Sequence, residues 1–198
     1  MPIVTLPGGE LRDEIRQPLY DTIIVAAAEG LVGVRRFFQS NVIAGGAPKT
    51  LAATNMEQPG SLPTATSFRV QGLAIDADNS EPLNNAFLSA FLRSSSVSLQ
   101  VGVKNYWQSP LRYACGRLLS DLGGIVDESY QQYGWPAVQP VVFQGKHVVD
   151  INPLQNFQIA WVTAAQDLTA AEAALTVAAN TQLIFQASLK GLLRRPVQ

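Results

Sequence analysis

Apolar and polar residues alternate most clearly between positions 181 and 189 of the chain. A period of two is typical of a β-strand with one face against a core and the other face toward a wetter environment. The sequence therefore predicts a core strand here, and its inward-facing residues are Leu183, Phe185, Ala187 and Leu189.

Most of the remaining chain also favours strands. β-Branched, aromatic or alternating residues occur between turn-forming Gly and Pro residues, which is the usual pattern of antiparallel β structure. These segments are residues 22–26, 32–39, 67–76, 96–104, 106–108, 141–143, 148–151 and 157–163. Pro110 confines the strand at 106–108 to a sheet edge or a short ladder, because proline has no N–H to donate.

One predicted strand changes phase in its middle. Phe68 and Val70 share a face, but after Gly72 the apolar residues Leu73 and Ile75 continue in the other phase. A glycine at such a change indicates a β-bulge, in which one extra residue reverses the facing of the side chains.

Helical patterns are scarce. Between residues 83 and 91 the apolar side chains recur at i, i+3, i+4, i+7 and i+8, which is one face of an α-helix. Leu11, Ile15 and Leu19 have the spacing of a second, short helix that Pro18 would end early.

Because helices do not alternate with strands, a parallel α/β fold is disfavoured. The prediction is an all-β fold, an antiparallel β-sandwich in the form of a single jelly roll of about eight strands, with one short helix and long loops. We expect an N-terminal arm at residues 1–20 and a jelly-roll domain at residues 21–198.

Composition narrows the classes of function. Charged residues make up 15% of the chain, whereas about 25% is usual in soluble proteins. Because interface cores are depleted in Lys and Glu, this scarcity favours extensive contact with other subunits over a weakly soluble monomer. The net charge of −1 provides no basic surface for nucleic acid, so no sequence-specific nucleic-acid partner is expected.

Residues able to support catalysis are few. His147 is the only histidine and Cys115 the only cysteine, which excludes a metal site built on several histidines and an internal disulfide. His147 near Asp150 leaves a Ser-His-Asp hydrolase open, but no Gly-x-Ser-x-Gly elbow accompanies it. We therefore predict no catalytic residue, no metal and no cofactor, and we expect that the chain is not an enzyme.

Basic pairs and loop aromatics are the candidate contact residues. The basic pairs are suited to salt bridges between subunits, to a solvated edge or to phosphate groups. The aromatic residues of the segment 116–140 can anchor a neighbouring subunit or stack on a sugar. The candidate assembly-interface residues are Arg35, Arg36, Tyr130, Tyr133, Trp135, Arg194 and Arg195.

Four ordered segments resemble a known protein family. They are TNMEQPGSLP at 54–63 leading into SFRV at 67–70, LQVGVKNYW at 99–107 followed by PL at 110–111, NPLQNF at 152–157, and GLLRRPVQ at 191–198. Across residues 50–198 this order resembles the jelly-roll capsid proteins of tailless icosahedral bacteriophages, of the type with a single jelly roll in each chain.

The resemblance implies a structural protein located in the virion, in the capsid. Such proteins assemble as homo- or hetero-oligomers into pseudo-hexameric tiles of an icosahedral shell, and an N-terminal arm commonly tethers neighbours. The implied partners are further copies of the chain, other capsid or spike proteins and, in viruses that have one, an internal membrane. The family supplies no catalytic residues.

A second hypothesis of a different class remains open. The same fold would suit a carbohydrate- or receptor-binding module, such as a virion spike or a lectin-like domain. Tyr130, Tyr133 and Trp135 would then contact the glycan.

Overall fold

The computed structural model describes residues 3–5, 11–42, 46–78, 85–114, 141–143, 145, 148–179 and 181–196. Within them the predicted fold class is confirmed, since the chain is mostly β and forms two antiparallel sheets packed as a sandwich. The strands are β1 (Ile3–Thr5), β2 (Leu11–Arg16), β3 (Leu19–Val25), β4 (Gly33–Phe37), β5 (Ser67–Asp78), β6 (Ser95–Val101), β7 (Lys104–Pro110), β8 (Val141–Val142), β9 (Val149–Ile151), β10 (Phe157–Thr163) and β11 (Leu183–Pro196). The helices are α1 (Asn85–Ser94) and the second short helix α2 (Ala170–Ala173).

The strand pairing is that of a jelly roll. The seven-stranded sheet has the order β1-β2-β11-β5-β8, with β3 also paired to β11 and β9 to β5, and the four-stranded sheet has the order β4-β10-β6-β7. The pairs β3–β11, β4–β10, β5–β9 and β6–β7 are nested along the chain, as in a long hairpin rolled into two sheets. Among the described strands β7 lies at a sheet edge, in agreement with the prediction from Pro110.

The core between the sheets is centred on an aromatic cluster. The ring of Trp161 lies 4.4 Å from that of Phe91 and 4.6 Å from that of Phe185, measured between centroids. These residues belong to β10, α1 and β11, so the cluster joins both sheets to the predicted helix. Each aromatic pair adds about 0.5–1.5 kcal/mol beyond the burial of its area.

Strand β11 confirms the alternation predicted at the end of the chain. β2 and β3 pair with one edge of β11, and β5 pairs with the other edge. Ile184, Gln186 and Ser188 are half-buried on its outward face. On its inward face the fully buried residues are Leu183, Phe185, Ala187 and Leu189.

The predicted bulge lies in β5. The consecutive β11 residues Lys190 and Gly191 pair with Gly72 and Val70, which leaves Gln71 without a partner in this ladder. Because the extra residue reverses the facing, the apolar residues on both sides of the bulge point to the core.

The short helix predicted from Leu11, Ile15 and Leu19 is wrong. This segment forms the two strands β2 and β3. Ile15 pairs with Leu193 and Leu19 with Leu189, so ladder formation with β11 outweighs a weak helical spacing. The division of the chain into an arm and a jelly-roll domain stays a prediction.

A buried ion pair anchors the long connection between β4 and β5. Lys49 Nζ lies 2.7 Å from Asp21 Oδ1, and the two side chains are 3% and 1% exposed. The other carboxylate oxygen of Asp21 accepts a 2.6 Å hydrogen bond from the backbone N–H of Phe38. Asn55 then covers the free edge of β3, because its backbone and side chain both bond to the backbone of Tyr20.

Candidate assembly surface

The outward face of the four-stranded sheet consists of every second residue in its strands, apart from the irregularity in β7. Ladder pairing arranges these residues in rows that cross the sheet from β4 to β7. Together these paired residues form the neutral face, and Arg36 is the only charged residue in its rows. Tyr106, at the irregularity in β7, is 40% exposed, and Lys104 Nζ lies 4.7 Å from the centre of its ring, so a second charge lies at the β7 border of the face. The rows are Val34, Val162, Ser96 and Pro110, then Arg36, Ala160, Ser98 and Gln108, and last Gln158, Gln100 and Asn105.

The neutral face combines exposed apolar groups with paired amides. Val34 is 48% exposed and Val162, its partner in the ladder, is 37% exposed. Gln158 Nε2 donates a 2.5 Å hydrogen bond to Gln100 Oε1. Ala160 and Ser98 lie between these groups. Both side chains are small and buried, so no large side chain projects from the centre of the face.

The outward face of the seven-stranded sheet has the opposite character toward one end. Here β2 and β5 pair with β11, and β9 pairs with β5. These registers bring basic and acidic side chains together. These residues form the charged face, and they are Glu14, Arg16, Arg69, Asp150, Lys190 and Arg194.

Two ion pairs neutralise much of the charged face. Arg194 Nε lies 2.8 Å from Glu14 Oε2, with the side chains 14% and 17% exposed. Arg69 Nε lies 2.9 Å from Asp150 Oδ1. The pKa of Arg69 is raised, chiefly because its guanidinium donates a hydrogen bond to Asp150, and attraction to Asp150 and Glu14 adds to this while burial opposes it.

The predicted basic pair at the end of β11 lies on the seven-stranded sheet. Arg194 faces outward into its ion pair with Glu14. Arg195 lies opposite Asp13 in the ladder, and its buried Nε has no hydrogen-bond partner among the described residues. Reversing the charge at Arg194 would therefore test the fold as well as assembly, and the role of both residues at an interface stays a prediction.

The other predicted pair is divided between two faces, because adjacent strand residues point to opposite sides of a sheet. Arg35 points inward, where its guanidinium donates a 2.6 Å hydrogen bond to Glu29 Oε1 and lies 5.9 Å from the centre of the Trp161 ring. Arg36 points outward and is exposed. Of these two candidates, only Arg36 belongs to the neutral face.

The remaining sequence candidates lie outside the described residues. They are Tyr130, Tyr133 and Trp135, together with Cys115 and His147. Their proposed roles stay predictions.

Two exposed apolar loop tips were not predicted. Val103 is fully exposed in the turn between β6 and β7, and Leu154 is 60% exposed in the connection between β9 and β10. Gly102 accounts for the first turn, because its φ of +61° suits the first central position of a type II′ hairpin. Its backbone N–H also donates a 2.6 Å hydrogen bond to Asn156, which holds the two connections together.

A shallow groove of about 580 Å³ lies where β6 begins and β7 ends. Hydroxyl, amide and charged groups line it, including those of Ser96, Ser109, Gln108, Arg93 and Asp167. The lining is rich in hydrogen-bonding groups, which would suit a polar ligand.

The described part of the chain contains no group of three His, Cys, Asp or Glu side chains placed to hold a metal ion. None of the helices in that part has the length and apolar character needed to cross a membrane. No protein-family model, curated protein or solved structure matches the chain.

Proposed function

We propose that this chain is a structural capsid protein that self-assembles, or co-assembles with a second capsid protein, into the icosahedral shell of a virion. The observation that carries the proposal is the neutral face. Its exposed valines and paired amides, with Arg36 as the single charge in its rows and Lys104 only at its β7 border, match the depletion of charged residues in interface cores. Such a surface is unfavourable in a protein that stays monomeric, because exposed apolar patches promote association.

The fold and the sequence support the same reading. Jelly rolls occur in viral capsids, lectins and cupins, so the architecture alone does not decide between them. The chain has a single histidine, which argues against a cupin metal site. Its four ordered segments resemble bacteriophage capsid proteins, and its charged content of 15% suits a subunit surrounded by neighbours.

The proposed partners follow from this role. Copies of the same chain would form the lattice, alone or with other capsid and spike proteins. In a virus with an internal membrane, the lipid surface would be a further partner. Residues near the N-terminus would tether neighbours, and the described β1 and β2 already lie at the margin of the seven-stranded sheet.

Electron microscopy of the purified full chain over a range of concentrations tests the proposal. We expect tiles or closed shells above a threshold concentration, with light scattering rising at the same point. A chain that stays strictly monomeric by light scattering at high concentration would contradict self-assembly.

The groove beside β6 and β7 favours a second candidate, a carbohydrate- or receptor-binding module. Its hydroxyl, amide and charged groups can exchange hydrogen bonds with sugar hydroxyls. A glycan array probed with the wild type and with Asp167→Ala tests it. Binding that is lost in the variant would support this candidate, and the absence of binding to any glycan would reject it.

A further inference from the structure

We propose that the neutral face is an isologous contact, which packs against the neutral face of a second copy of the chain across a two-fold axis. The biological setting of this contact rests on the proposed function, but the contact itself rests on the chemistry of the face. A two-fold contact requires a surface that is complementary to itself.

Electrostatics selects a second neutral face as the partner. Arg36 lies in the outermost strand of the sheet, so two copies can meet without placing like charges opposite one another at the centre. A partner surface rich in charge would lose hydration against Val34 and Val162 and gain almost no opposite charge in return. This disfavours the charged face of another copy, where Arg194 and Glu14 already satisfy each other.

Hydrogen bonding is also self-complementary on this face. Glutamine and serine each carry a donor and an acceptor, so Gln100, Gln108 and Ser96 can bond to the same residue types on a second copy. Surfaces made of lysines or carboxylates alone cannot do so, because they offer only donors or only acceptors.

The edges of the four-stranded sheet are poorly suited to strand pairing. β7 carries Pro110, which cannot donate to a ladder, and the exposed Lys104, and it is irregular opposite Leu99 and Gln100. β4 is short, at five residues. Proline, lysine and short strands are the features that protect edges from pairing, so association through the face is favoured over association through an edge.

The size of the face sets the strength of the contact. Four strands at about 4.8 Å spacing and a seven-residue β10 at about 3.3 Å per residue give a surface of roughly 19 by 23 Å. This is about 440 Å² per copy, well below the roughly 800 Å² per partner of a standard stable interface. We therefore expect a weak, concentration-dependent dimer that becomes durable only when a lattice adds further contacts.

Sedimentation equilibrium of the full chain tests the contact with two matched variants. Val162→Glu places a carboxylate on the neutral face, and Val142→Glu makes the same change at a valine of β8 that is 50% exposed on the other sheet. We expect Val162→Glu to weaken dimerisation by about tenfold or more, because it buries a charge in the contact. Val142→Glu should stay within about twofold of the wild type, since surface changes away from a contact have small effects. Equal dimerisation by all three proteins, or a loss only in Val142→Glu, would overturn the proposal.

A mixing experiment tests the two-fold symmetry. In the proposed contact the two-fold axis passes beside Val162, so this residue meets its own counterpart. Val162→Glu and Val162→Lys should each dimerise poorly, whereas an equimolar mixture should regain association, because opposite charges then meet across the axis. A mixture as weak as the separate variants would overturn the isologous arrangement. The outcome is separable from that of the proposed function: shells that form equally well with Val162→Glu would refute only the contact, and dimers that form without shells would refute only the capsid role.

Discussion

The two sheets of this sandwich present opposite outer surfaces. The seven-stranded sheet exposes the charged face, where Glu14 pairs with Arg194 and Arg69 with Asp150. The four-stranded sheet exposes the neutral face, in whose rows Arg36 is the only charged residue. Charges that satisfy each other within one molecule suit a surface that remains hydrated, whereas a surface without charge is easily dehydrated by a neighbour. The contrast supports the proposal that the four-stranded sheet is the side that contacts other copies.

The largest effect is expected from removing the charge buried within the seven-stranded sheet. Asp21→Ala leaves Lys49 buried without its partner and the N–H of Phe38 without its acceptor. Breaking a buried ion pair costs about 3–5 kcal/mol of unfolding free energy, which urea denaturation would measure. Asp167→Ala, at an exposed position, is the control and should change stability by less than about 0.5 kcal/mol. Similar losses in both variants would show that the buried pair does not anchor the connection.

The next largest effect is expected at the bulge that shapes the seven-stranded sheet. A Cβ on Gly191 would overlap the backbone oxygen of Arg69, so Gly191→Ala must displace β5 or β11. Overpacking of this kind costs about 3 kcal/mol, and thermal unfolding should record it as a clear drop in Tm. In the control Gly30→Ala, the added Cβ meets no atom of the described part of the chain within 4 Å. A Tm for Gly191→Ala equal to that of the control would contradict the close packing of the two strands.

A smaller effect is expected within the charged face. Glu14→Gln weakens the ion pair with Arg194, in which the Arg194 side chain is 14% exposed and the Glu14 side chain 17%. The change should lower the free energy of unfolding by about 1 kcal/mol. Asp150→Asn weakens the more exposed pair with Arg69 and should cost less than about 0.5 kcal/mol. Urea denaturation of both variants at low and high salt checks this order. If Asp150→Asn lowered the free energy of unfolding more than Glu14→Gln, burial would not determine how much each ion pair contributes to stability.

The smallest effect on the monomer is expected on the neutral face. Gln158→Ala removes a surface hydrogen bond to Gln100 and should lower unfolding free energy by less than about 0.5 kcal/mol in dilute solution. Association at high concentration should nevertheless weaken, which comparison of dilute and concentrated samples by light scattering would reveal. A Gln158→Ala variant that loses stability but associates normally would contradict the assignment of the neutral face as the contact surface.

Some of this structure could be predicted from the sequence, where the information is local. The alternation in β11 and the change of phase at Gly72 each determine the facing of side chains within a few residues, and both predictions are confirmed. The strand β2 was missed because its pairing with Leu193 joins opposite ends of the chain. A local spacing cannot report such a pairing.

The candidate surface was only partly predictable. Strand alternation alone places Gln158, Ala160 and Val162, which are all uncharged, on one side of β10. The remainder of the neutral face comes from β4, β6 and β7, and only the register shows that these residues are neighbours. The pair between Glu14 and Arg194, 180 residues apart, depends on register in the same way.

Hydroxyl-radical footprinting of Val162 and Val142 in dispersed and assembled protein tests the central claim most directly. Both valines are accessible in the single chain, at 37% and 50% exposure. If the neutral face is the assembly surface, oxidation of Val162 should fall several-fold on assembly while oxidation of Val142 stays unchanged. Protection of Val142 with continued oxidation of Val162 would contradict the account.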